Sequence, residues 1–417
     1  MTDSITLARA ALDTVVRDEW GKMLSVLIGQ FRDMQMAEDS LQDAVVAALV
    51  HWPEDGIPNR PVAWLIQTAR RKCIDRIRRI ENFGRKQDQI ALLTELERTA
   101  DLDEESLDIA DDRLRLIFTC CHPALAESVQ VPLTLHTLCG LSALQVANAF
   151  LVTESTMRQR LVRAKRKIKA ANIPYRVPPA DLLEERLATV LKVIYLIFNE
   201  GYRSNSGTAM IDVSLCEESL RLGELIIALL PDRAESLGLH ALMHFHHSRY
   251  LARTTKEGQV ASLSRQDRSR WLTNYIERGD ELLRRATALR QPGPYQIQAA
   301  ISAVHAQAPD YGSTDWMQIV LLYKRLQQYQ PSPIVTLNAA VALSHAKSPT
   351  AGLDALKKIQ SEPLLKHYQP FYAARADMLK RAGQPDRSRE DFERAIELSH
   401  NAEERDFLNE QMAGLEP

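Results

Sequence analysis

The 417-residue chain carries 52 Lys and Arg against 54 Asp and Glu, a formal charge of −2, and 45% of its residues are hydrophobic. These values are ordinary for a folded protein of about three domains and exclude disordered chains and uniformly basic nucleic-acid coat proteins. No apolar run approaches the ~20 residues of a membrane span, and the N-terminus does not resemble a signal peptide. The five cysteines include no CxxC pair. We therefore expect a soluble, cytoplasmic protein without a disulfide framework or a zinc knuckle.

Helical periodicity runs through nearly the whole sequence. Apolar residues recur at spacings of three and four, as in Leu41, Val45 and Ala48, which is the pattern of one buried helix face. We find no alternating segment long enough for a sheet, and the sparse glycines fall mostly at expected helix ends. The sequence predicts an all-α fold.

Charge is segregated along the first 175 residues. Residues 60–86 hold nine basic and two acidic side chains, residues 88–112 hold ten acidic and one basic, and residues 158–169 hold seven basic and none acidic. Acidic stretches poor in aromatics are typical of solvated linkers, and a cluster of prolines ends a helix. The predicted segments are a basic domain (1–86), an acidic linker (87–112), a second basic domain (113–172), a proline-rich linker (173–181) and a helical domain (182–417).

The first basic domain contains two predicted helices, 37–52 and 62–79, joined by a loop rich in proline at 53–61. The second helix is expected to bury an apolar face that includes Trp64 and to expose its arginines, among them Arg70. Such a face can follow DNA phosphates and release counterions. A solvated helix stabilised by arginine propensity remains the alternative, and Trp64 is ordinarily a core residue rather than a base-stacking one.

The second basic domain has the pattern of a helix-turn-helix at 141–169. Ser142 and Gln145 are placed to form a capping box, and Thr153 is placed to cap the second helix. Thr156, Met157, Leu161 and Ala164 are expected to face inward, which leaves an outward face of Ser155, Arg158, Gln159, Arg163 and Arg166. Arginine and glutamine read guanine and adenine edges, and the start of the second helix enters the major groove. A generic basic helical hairpin remains the alternative.

Three segments in this order resemble the extracytoplasmic-function (ECF) subgroup of sigma-70 factors: AEDSLQDAVVAALVHW, RPVAWLIQTARRKCIDRIRR and LSALQVANAFLVTESTMRQRLVRAKRKI. The resemblance covers roughly 170 residues and implies binding to core RNA polymerase and to two promoter elements. It implies polymerase-binding residues Asp39, Gln42 and Asp43. It implies −10 contacts from Asn59, Arg60, Trp64, Gln67, Arg70, Arg71, Lys72 and Arg76. It implies −35 contacts from Ser155, Thr156, Arg158, Gln159, Arg160, Arg163, Lys165, Arg166 and Lys167.

The remainder resembles the extension of an ECF group that has a long tetratricopeptide-like C-terminal domain. The segments that carry this likeness are YLIFNEGYRSNSG (195–207), DRSRW (267–271), RQPGPYQIQAAISAVHA (290–306) and PSPIVTLNAAVAL (331–343). The resemblance implies that the extension contacts the sigma domains within the same chain and regulates them. Its polar cluster of Asn199, Glu200 and Tyr202 is read either as the lining of a ligand pocket or as an inter-helix turn.

The sequence offers no catalytic constellation. There is no GxSxG, HExxH, P-loop or GxGxxG motif, and His240, His244 and His247 share a helical face without a cysteine or paired carboxylate to complete a metal site. We therefore expect no enzymatic activity, no cofactor and no metal. Two alternatives to a sigma factor stay open: a helix-turn-helix regulator with a helical sensor domain, and a helical-repeat scaffold that binds proteins.

Overall fold

A computed structural model of the chain describes residues 2–81, 109–150, 152–202, 213–253, 261–399 and 402–415. Throughout these ranges the regular elements are helices, which confirms the all-α prediction. The chain divides into two compact units, residues 1–219 and 220–417. No helix in the described ranges is long and apolar enough to cross a membrane. Most of the predicted acidic linker, and residues 203–207 of the motif at 195–207, lie outside the described residues.

The first unit begins with three helices: α1 (Thr2–Phe31), α2 (Met34–Asp55) and α3 (Pro61–Glu81). The Asp33 carboxylate caps α2 by accepting hydrogen bonds from two backbone N–H groups of its first turn. The helix continues through Pro53, so the prediction that it ends at Trp52 was wrong. A proline in the last turn removes a single backbone hydrogen bond. Gly56, at φ 90°, then ends α2 by donating its N–H to the carbonyl of Trp52.

The rest of the first unit is built around a second helical group. Its helices are α4 (Ile109–Cys120), α5 (Glu127–Thr137), α6 (Ala143–Ala149), α7 (Glu154–Ala170) and α8 (Ala180–Tyr202). The capping box of Ser142 and Gln145 is present on α6, and Thr153 caps α7, as predicted. Thr156 is exposed rather than buried, because its hydroxyl turns back to Thr153 at 2.8 Å. Helix α4 begins inside the segment predicted to be a linker.

Helix α8, the first of the predicted extension, packs on α4 and α5 within this unit. The guanidinium of Arg186 donates to the carbonyl of Phe118 at 2.7 Å, and Lys192 forms an ion pair with Glu127. A charged donor on a carbonyl at the C-terminal end of a helix satisfies a group that the helix leaves unpaired. Helix α8, which follows α7 in the sequence, is therefore held on α4 and α5, which precede α7.

Tyr175 lies in the proline-rich segment between α7 and α8. Its hydroxyl lies 2.9 Å from the carbonyl oxygen of Ser25 on α1 and 3.0 Å from that of Asp112 on α4, so its one hydrogen can be donated to either. Burial raises the pKa of this phenol well above its usual value. The segment predicted as a linker thus contacts both helical groups of the first unit.

The second unit is a succession of short helices, entered by α9 (Val213–Leu229), which crosses the boundary between the units. The others are α10 (Ala234–His247), α11 (Thr273–Ala288), α12 (Pro294–Gln307), α13 (Trp316–Tyr329), α14 (Pro333–Ala346), α15 (Pro349–Leu356), α16 (Gln369–Arg381), α17 (Pro385–Leu398) and α18 (Ala402–Ala413). Short 3₁₀ turns lie at Tyr250–Ala252, Leu263–Arg265, Arg268–Arg270 and Pro363–His367. Several helices start with proline, whose missing N–H costs nothing in the first turn.

The motif RQPGPY has a structural role in this unit. The carboxylate of Glu235 on α10 accepts the backbone N–H groups of Tyr295, at 2.9 Å, and Gln296, at 3.1 Å, at the start of α12. A Cβ on Gly293 would lie 2.3 Å from this carboxyl carbon, so the close approach requires glycine. The motif therefore joins two helices of the repeat region.

The motif DRSRW contacts the end of α12. Asp267 caps the 3₁₀ turn, and the guanidinium of Arg268 lies 4.1 Å from the ring centre of Trp271. Arg268 also donates to the carbonyls of His305 and Ala308 at the end of α12. An arginine at this position satisfies carbonyls that the helix cannot pair itself.

Helices α16 and α17 form a hairpin that turns at Gly383, which has φ 70°. Arg375 and Asp391 join them through two hydrogen bonds of 2.6 Å, the bidentate geometry that favours arginine over lysine. Ser388 donates to the carbonyl of Ala376 at 2.8 Å. The assignment of these hairpins to the tetratricopeptide type stays a prediction.

Candidate nucleic-acid interface

The predicted polymerase-binding and −10 residues meet on one surface of α2 and α3. The guanidinium of Arg76 lies 3.1 Å from a carboxylate oxygen of Asp39 and 2.8 Å from one of Asp43. Gln42 is exposed beside them. Because one cation bridges two carboxylates one turn apart, the relative rotation of α2 and α3 is fixed, while all three groups remain within reach of a partner.

The basic face of α3 is narrower than the sequence predicted. Gln67 and Arg71 are exposed and Lys72 is half-buried, but Arg70 is 7% exposed. It follows Ile66 by four residues and precedes Ile77 by seven, and both isoleucines are buried. Arg70 thus falls within the apolar stripe of the helix, and the prediction that it is exposed was wrong.

The loop before α3 presents Asn59 and Arg60 to solvent. Trp64, one turn into the helix, is half-buried and meets Trp52 of α2 edge to face, with ring centres 5.7 Å apart. Such pairs stabilise packing by about 0.5–1.5 kcal/mol beyond the area they bury. Trp64 therefore packs at the base of this loop, while the side chains of Asn59 and Arg60 stay exposed to solvent.

The outer face of α7 carries most of the predicted −35 residues. Those exposed are Ser155, Thr156, Arg158, Gln159, Arg160, Arg163, Arg166 and Lys167. Met157, Leu161 and Ala164 are buried on the opposite side, as predicted. The Nε of Arg158 lies 2.8 Å from the carboxylate of Glu154 one turn earlier. Because this pair is well exposed, it is weak and can give way to a base edge.

Lys165 has a different environment from the other cations of α7. Its ammonium is 8% exposed and forms an ion pair with Glu38 of α2. The other carboxylate oxygen of Glu38 lies 3.1 Å from Nε2 of His136 on α5, and Nδ1 of that ring lies 2.7 Å from the carbonyl of Leu141. Three helices far apart in the sequence thus share one buried charge cluster, and Lys165 is not on the DNA-facing surface in this arrangement.

The electrostatics of Glu38 follow from this geometry. Burial by itself raises the pKa of its carboxyl, but the hydrogen bond and charge of His136 and the charge of Lys165 outweigh it and lower the pKa to about 2. Glu38 therefore stays ionised at neutral pH although it is buried. An ionised buried carboxylate requires partners, and removing either one leaves an uncompensated charge.

A second, exposed contact extends the same junction by one turn. Lys169 lies 2.9 Å from a carboxylate oxygen of Asp33, the residue that caps α2. Burial alone would raise the pKa of Asp33, but the backbone N–H of Met36 and the Lys169 ammonium together lower it. The C-terminal half of α7 is thus held against the start of α2.

Comparison with known families matches both basic groups of helices. The sigma-70 region 2 family matches residues 19–82, and the sigma-70 region 4 family matches residues 115–168. These two segments are therefore similar to sigma-70 regions 2 and 4, in that order along the chain. A family of unknown function, DUF6596, matches residues 186–287, from within α8 to within α11. No solved structure matches the chain.

Two curated relatives match the chain over different lengths. The uncharacterized protein R00370 of Rhizobium meliloti (strain 1021) is 40% identical over 398 residues, which is 93% of this chain and 92% of that protein. The probable ECF RNA polymerase sigma factor SigI of Mycobacterium tuberculosis is 30% identical over 154 residues, 36% of this chain and 51% of that protein. The chain and R00370 therefore belong to one family along nearly their whole length.

The three polar residues predicted for the extension lie at the end of α8. Tyr202 is buried and stacks on Phe198 with ring centres 5.6 Å apart, while Asn199 and Glu200 are half-buried. Burial raises the pKa of Glu200. The stack lies within α8, so both interpretations of this cluster stay predictions. The residues that follow in the motif are outside those the structure describes.

The histidines of α10 pair with other side chains. Nε2 of His240 lies 3.0 Å from Glu224 and 3.3 Å from Nε2 of His244, and His247 stacks on Tyr250. The hydrogen bond from His240 lowers the pKa of Glu224 to about 2. Across the ranges the structure describes, no group of three or more potential ligands is arranged to hold a metal ion.

Sequence reasoning missed Glu38 and His136. One signal for Glu38 was present, because it follows Met34 by four residues and precedes Leu41 by three, and both are buried. A carboxylate in a buried stripe needs a cation. The sequence did not indicate which cation, since Lys165 is 127 residues away.

Proposed function

We propose that this sigma factor binds core RNA polymerase and directs transcription initiation by holding two promoter elements. In this proposal the surface of α2 around Asp39, Gln42 and Asp43 docks on polymerase. The loop at Asn59 and Arg60 captures an unstacked base of the −10 element, with the exposed side chains of α3 along the phosphates. The outer face of α7 reads the −35 element. The observation that carries the proposal is the capped helix-turn-helix with exposed Arg158 and Gln159, in a chain that also matches region 2.

The spacing of the promoter elements adds a requirement. Elements about 25 base pairs apart are separated by roughly 85 Å at ~3.4 Å per base pair. In the structure α7 is joined to α2 through Lys165 and Glu38, and α2 packs directly on α3. The two DNA-binding helices cannot span that distance while both contact α2. We therefore interpret this arrangement as a closed form whose two helical groups separate on promoter binding.

We further propose that the C-terminal extension regulates this separation. The support is local: α8 is the first helix of the extension, and it holds α4 and α5 through Arg186 and Lys192. A helix that belongs to the extension and packs on region 4 can transmit a change from one to the other, provided its contacts differ between the free and polymerase-bound states. An Arg186→Ala variant of the full chain should change promoter-dependent transcription by more than its loss of stability explains.

Run-off transcription with purified core polymerase tests the function. Initiation at a defined promoter that requires this chain is expected, since a DNA-binding regulator or a scaffold would not make core polymerase initiate. A variant with Asn59→Ala and Arg60→Ala should keep polymerase binding and lose strand opening, seen as loss of permanganate reactivity at the −10 element. A variant with Lys357→Ala, an exposed ion-pair residue of the second unit, serves as the control. Absence of initiation at every promoter tested would contradict the proposal.

A further inference from the structure

A cleft of about 980 Å³ opens between the two helical groups of the first unit. Its wall is formed by the turn after α1, the start of α2, one side of α4, the C-terminal half of α7 and the segment that follows α7. Its volume is within the range of sites that enclose small molecules. Of the residues predicted to contact polymerase or DNA, Lys165 and Arg166 of α7 line the cleft, and the others lie outside it.

The cleft is strongly cationic. Six of its lining residues are basic and one is acidic, Asp33. The six basic residues are Arg32, Arg115, Lys165, Arg166, Lys169 and Arg176. Cations that converge from several elements raise the local potential and attract anions.

Three of these cations are already neutralised. Lys165 pairs with Glu38, Lys169 with Asp33 and Arg115 with Asp112. Among the described residues, no ion-pair partner is found for the side chains of Arg32, Arg166 or Arg176. Three guanidinium groups from three separate parts of the chain therefore border one concave space with their charge uncompensated. Guanidinium groups bind phosphate oxygens in a bidentate manner.

The backbone around the cleft is constrained. Arg32 and Asn172 both line it, and both adopt positive φ, 54° and 49°. This conformation is uncommon for residues other than glycine and persists where the surrounding structure imposes it. At Arg32 it turns the chain from α1 into α2 and leaves the guanidinium at the rim.

The floor of the cleft is apolar. Ile28, Met34 and Ile173 are each at most 9% exposed, and the half-buried ring of Tyr175 lies beside them. A site with an apolar floor and a cationic rim fits a ligand with both an apolar body and a polyanionic group. A bare inorganic ion would leave the floor unused.

We propose that this cleft binds a phosphorylated small molecule with an aromatic or apolar body, of the nucleoside di- or triphosphate class. Its phosphates would lie among Arg32, Arg166 and Arg176, and its ring would lie over Ile28 and Ile173. Such a ligand contacts both helical groups at once, so it favours the closed form over the separated one. The effect on the closed form rests on the proposed function, whereas binding itself does not require sigma activity, although Arg166 also belongs to the DNA-facing side of α7.

Titration calorimetry on the full-length chain tests the site, with ATP, ADP, pyrophosphate and adenosine as probes in the absence of Mg²⁺. We expect saturable one-to-one binding of ATP and ADP, weaker binding of pyrophosphate and still weaker binding of adenosine. A variant with Arg32→Gln and Arg176→Gln should lose at least about tenfold in ATP affinity, since each removed guanidinium takes away a charge-assisted contact. Arg176→Gln alone should lose part of that affinity and covers the case in which the Arg32 change disturbs the turn.

A matched control removes the same charge elsewhere. Arg9 and Arg17 are exposed on α1, outside the cleft lining, so Arg9→Gln with Arg17→Gln should bind ATP as the parent chain does. Equal affinity in all variants, adenosine binding as tight as that of ATP, or no binding of any probe at millimolar concentration would each overturn the proposal. Loss of promoter-duplex affinity in the cleft variant without any binding of the phosphates would assign the cleft to the DNA-binding face and overturn it as well.

Discussion

The two basic helices of the first unit, α3 and α7, are both rich in arginine and lysine, but different contacts hold them in place. Helix α3 is fixed by its neighbour in the chain, through Arg76 and the carboxylates of Asp39 and Asp43. Helix α7 is fixed from a distance, through Lys165 and the buried Glu38. One helix is secured within its own module, and the other is secured to a different module.

This difference indicates which of the two contacts would be lost if the two helical groups separated. The Arg76 bridge is partly exposed, links residues 33 and 37 positions apart, and can persist while polymerase binds. The Glu38 cluster is buried and joins α2, α5 and α7. Its ion pairs therefore persist only while the helical group of α2 stays packed on that of α5 and α7. Loss of one partner of a buried ion pair strongly destabilises the fold, because the other charge is left buried without compensation. The members of such a cluster therefore stay in place or separate together.

Removal of the Glu38 carboxylate should lower the free energy of unfolding more than any other substitution considered, because it breaks the contact between α7 and α2. Glu38→Ala leaves Lys165 and His136 buried without their anion, and removal of one partner of a buried pair typically costs ~3–5 kcal/mol. The measurement is the free energy of unfolding of the full chain by urea. The matched control is Glu127→Ala, which removes the exposed partner of Lys192 and should cost ~0–1 kcal/mol. Equal losses in the two variants would remove the special role of the cluster.

Acid should weaken the same junction. The pKa of Glu38 is about 2 in the folded chain against an ordinary value of 4.5. A lowered pKa stabilises the fold fully above about 4.5, and this contribution disappears as the pH falls toward 2. We therefore expect the stability difference between the parent chain and Glu38→Gln to narrow between pH 5 and pH 3. A difference that is constant across this interval would show that the pKa of Glu38 is not lowered in the folded chain.

Substitutions on the outer face of α7 should distinguish side chains that read bases from side chains that bind phosphates. Arg158→Ala should cost ~1–3 kcal/mol in affinity and relax preference at one −35 position, whereas Lys167→Ala should weaken all sequences alike. Binding to single-substitution −35 duplexes at fixed salt distinguishes the two. Losses that are equal and independent of sequence in both variants would remove Arg158 from the reading set.

The bridge on α3 should show the smallest effect on stability. Arg76→Ala breaks two partly exposed ion pairs, each worth ~0.2–1 kcal/mol. Urea unfolding of this variant beside Glu38→Ala compares the two basic helices directly. A loss for Arg76→Ala as large as that for Glu38→Ala would mean that α3 and α7 are held with equal strength.

Local chemistry made the helix-turn-helix predictable. Ser142, Gln145 and Thr153 are capping residues whose partners lie within three positions, so the sequence alone specifies where α6 and α7 begin. The inward positions of α7 were mostly correct because they follow the helical period. The exception, Thr156, is a small polar residue whose hydroxyl bonds to the cap.

Long-range contacts escaped sequence reasoning. Arg70 was expected to be exposed by its type, but it lies in the apolar stripe set by Ile66 and Ile77. Glu38 and Lys165 were each read on their own helix, since nothing local pairs residues 127 positions apart. The motif RQPGPY was quoted only for its likeness to a family extension, and its structural role depends on Glu235, about 60 residues earlier in the chain.

The distance between the two helical groups tests the closed form most directly. Spin labels on Asp18→Cys in α1 and Asn148→Cys in α6 are suited to this, because both positions are exposed and the five native cysteines are buried. Dipolar spectroscopy should give one short distance in the isolated chain and a distance longer by tens of ångströms in the complex with core polymerase and promoter DNA. An unchanged distance in a complex that initiates transcription would contradict the account.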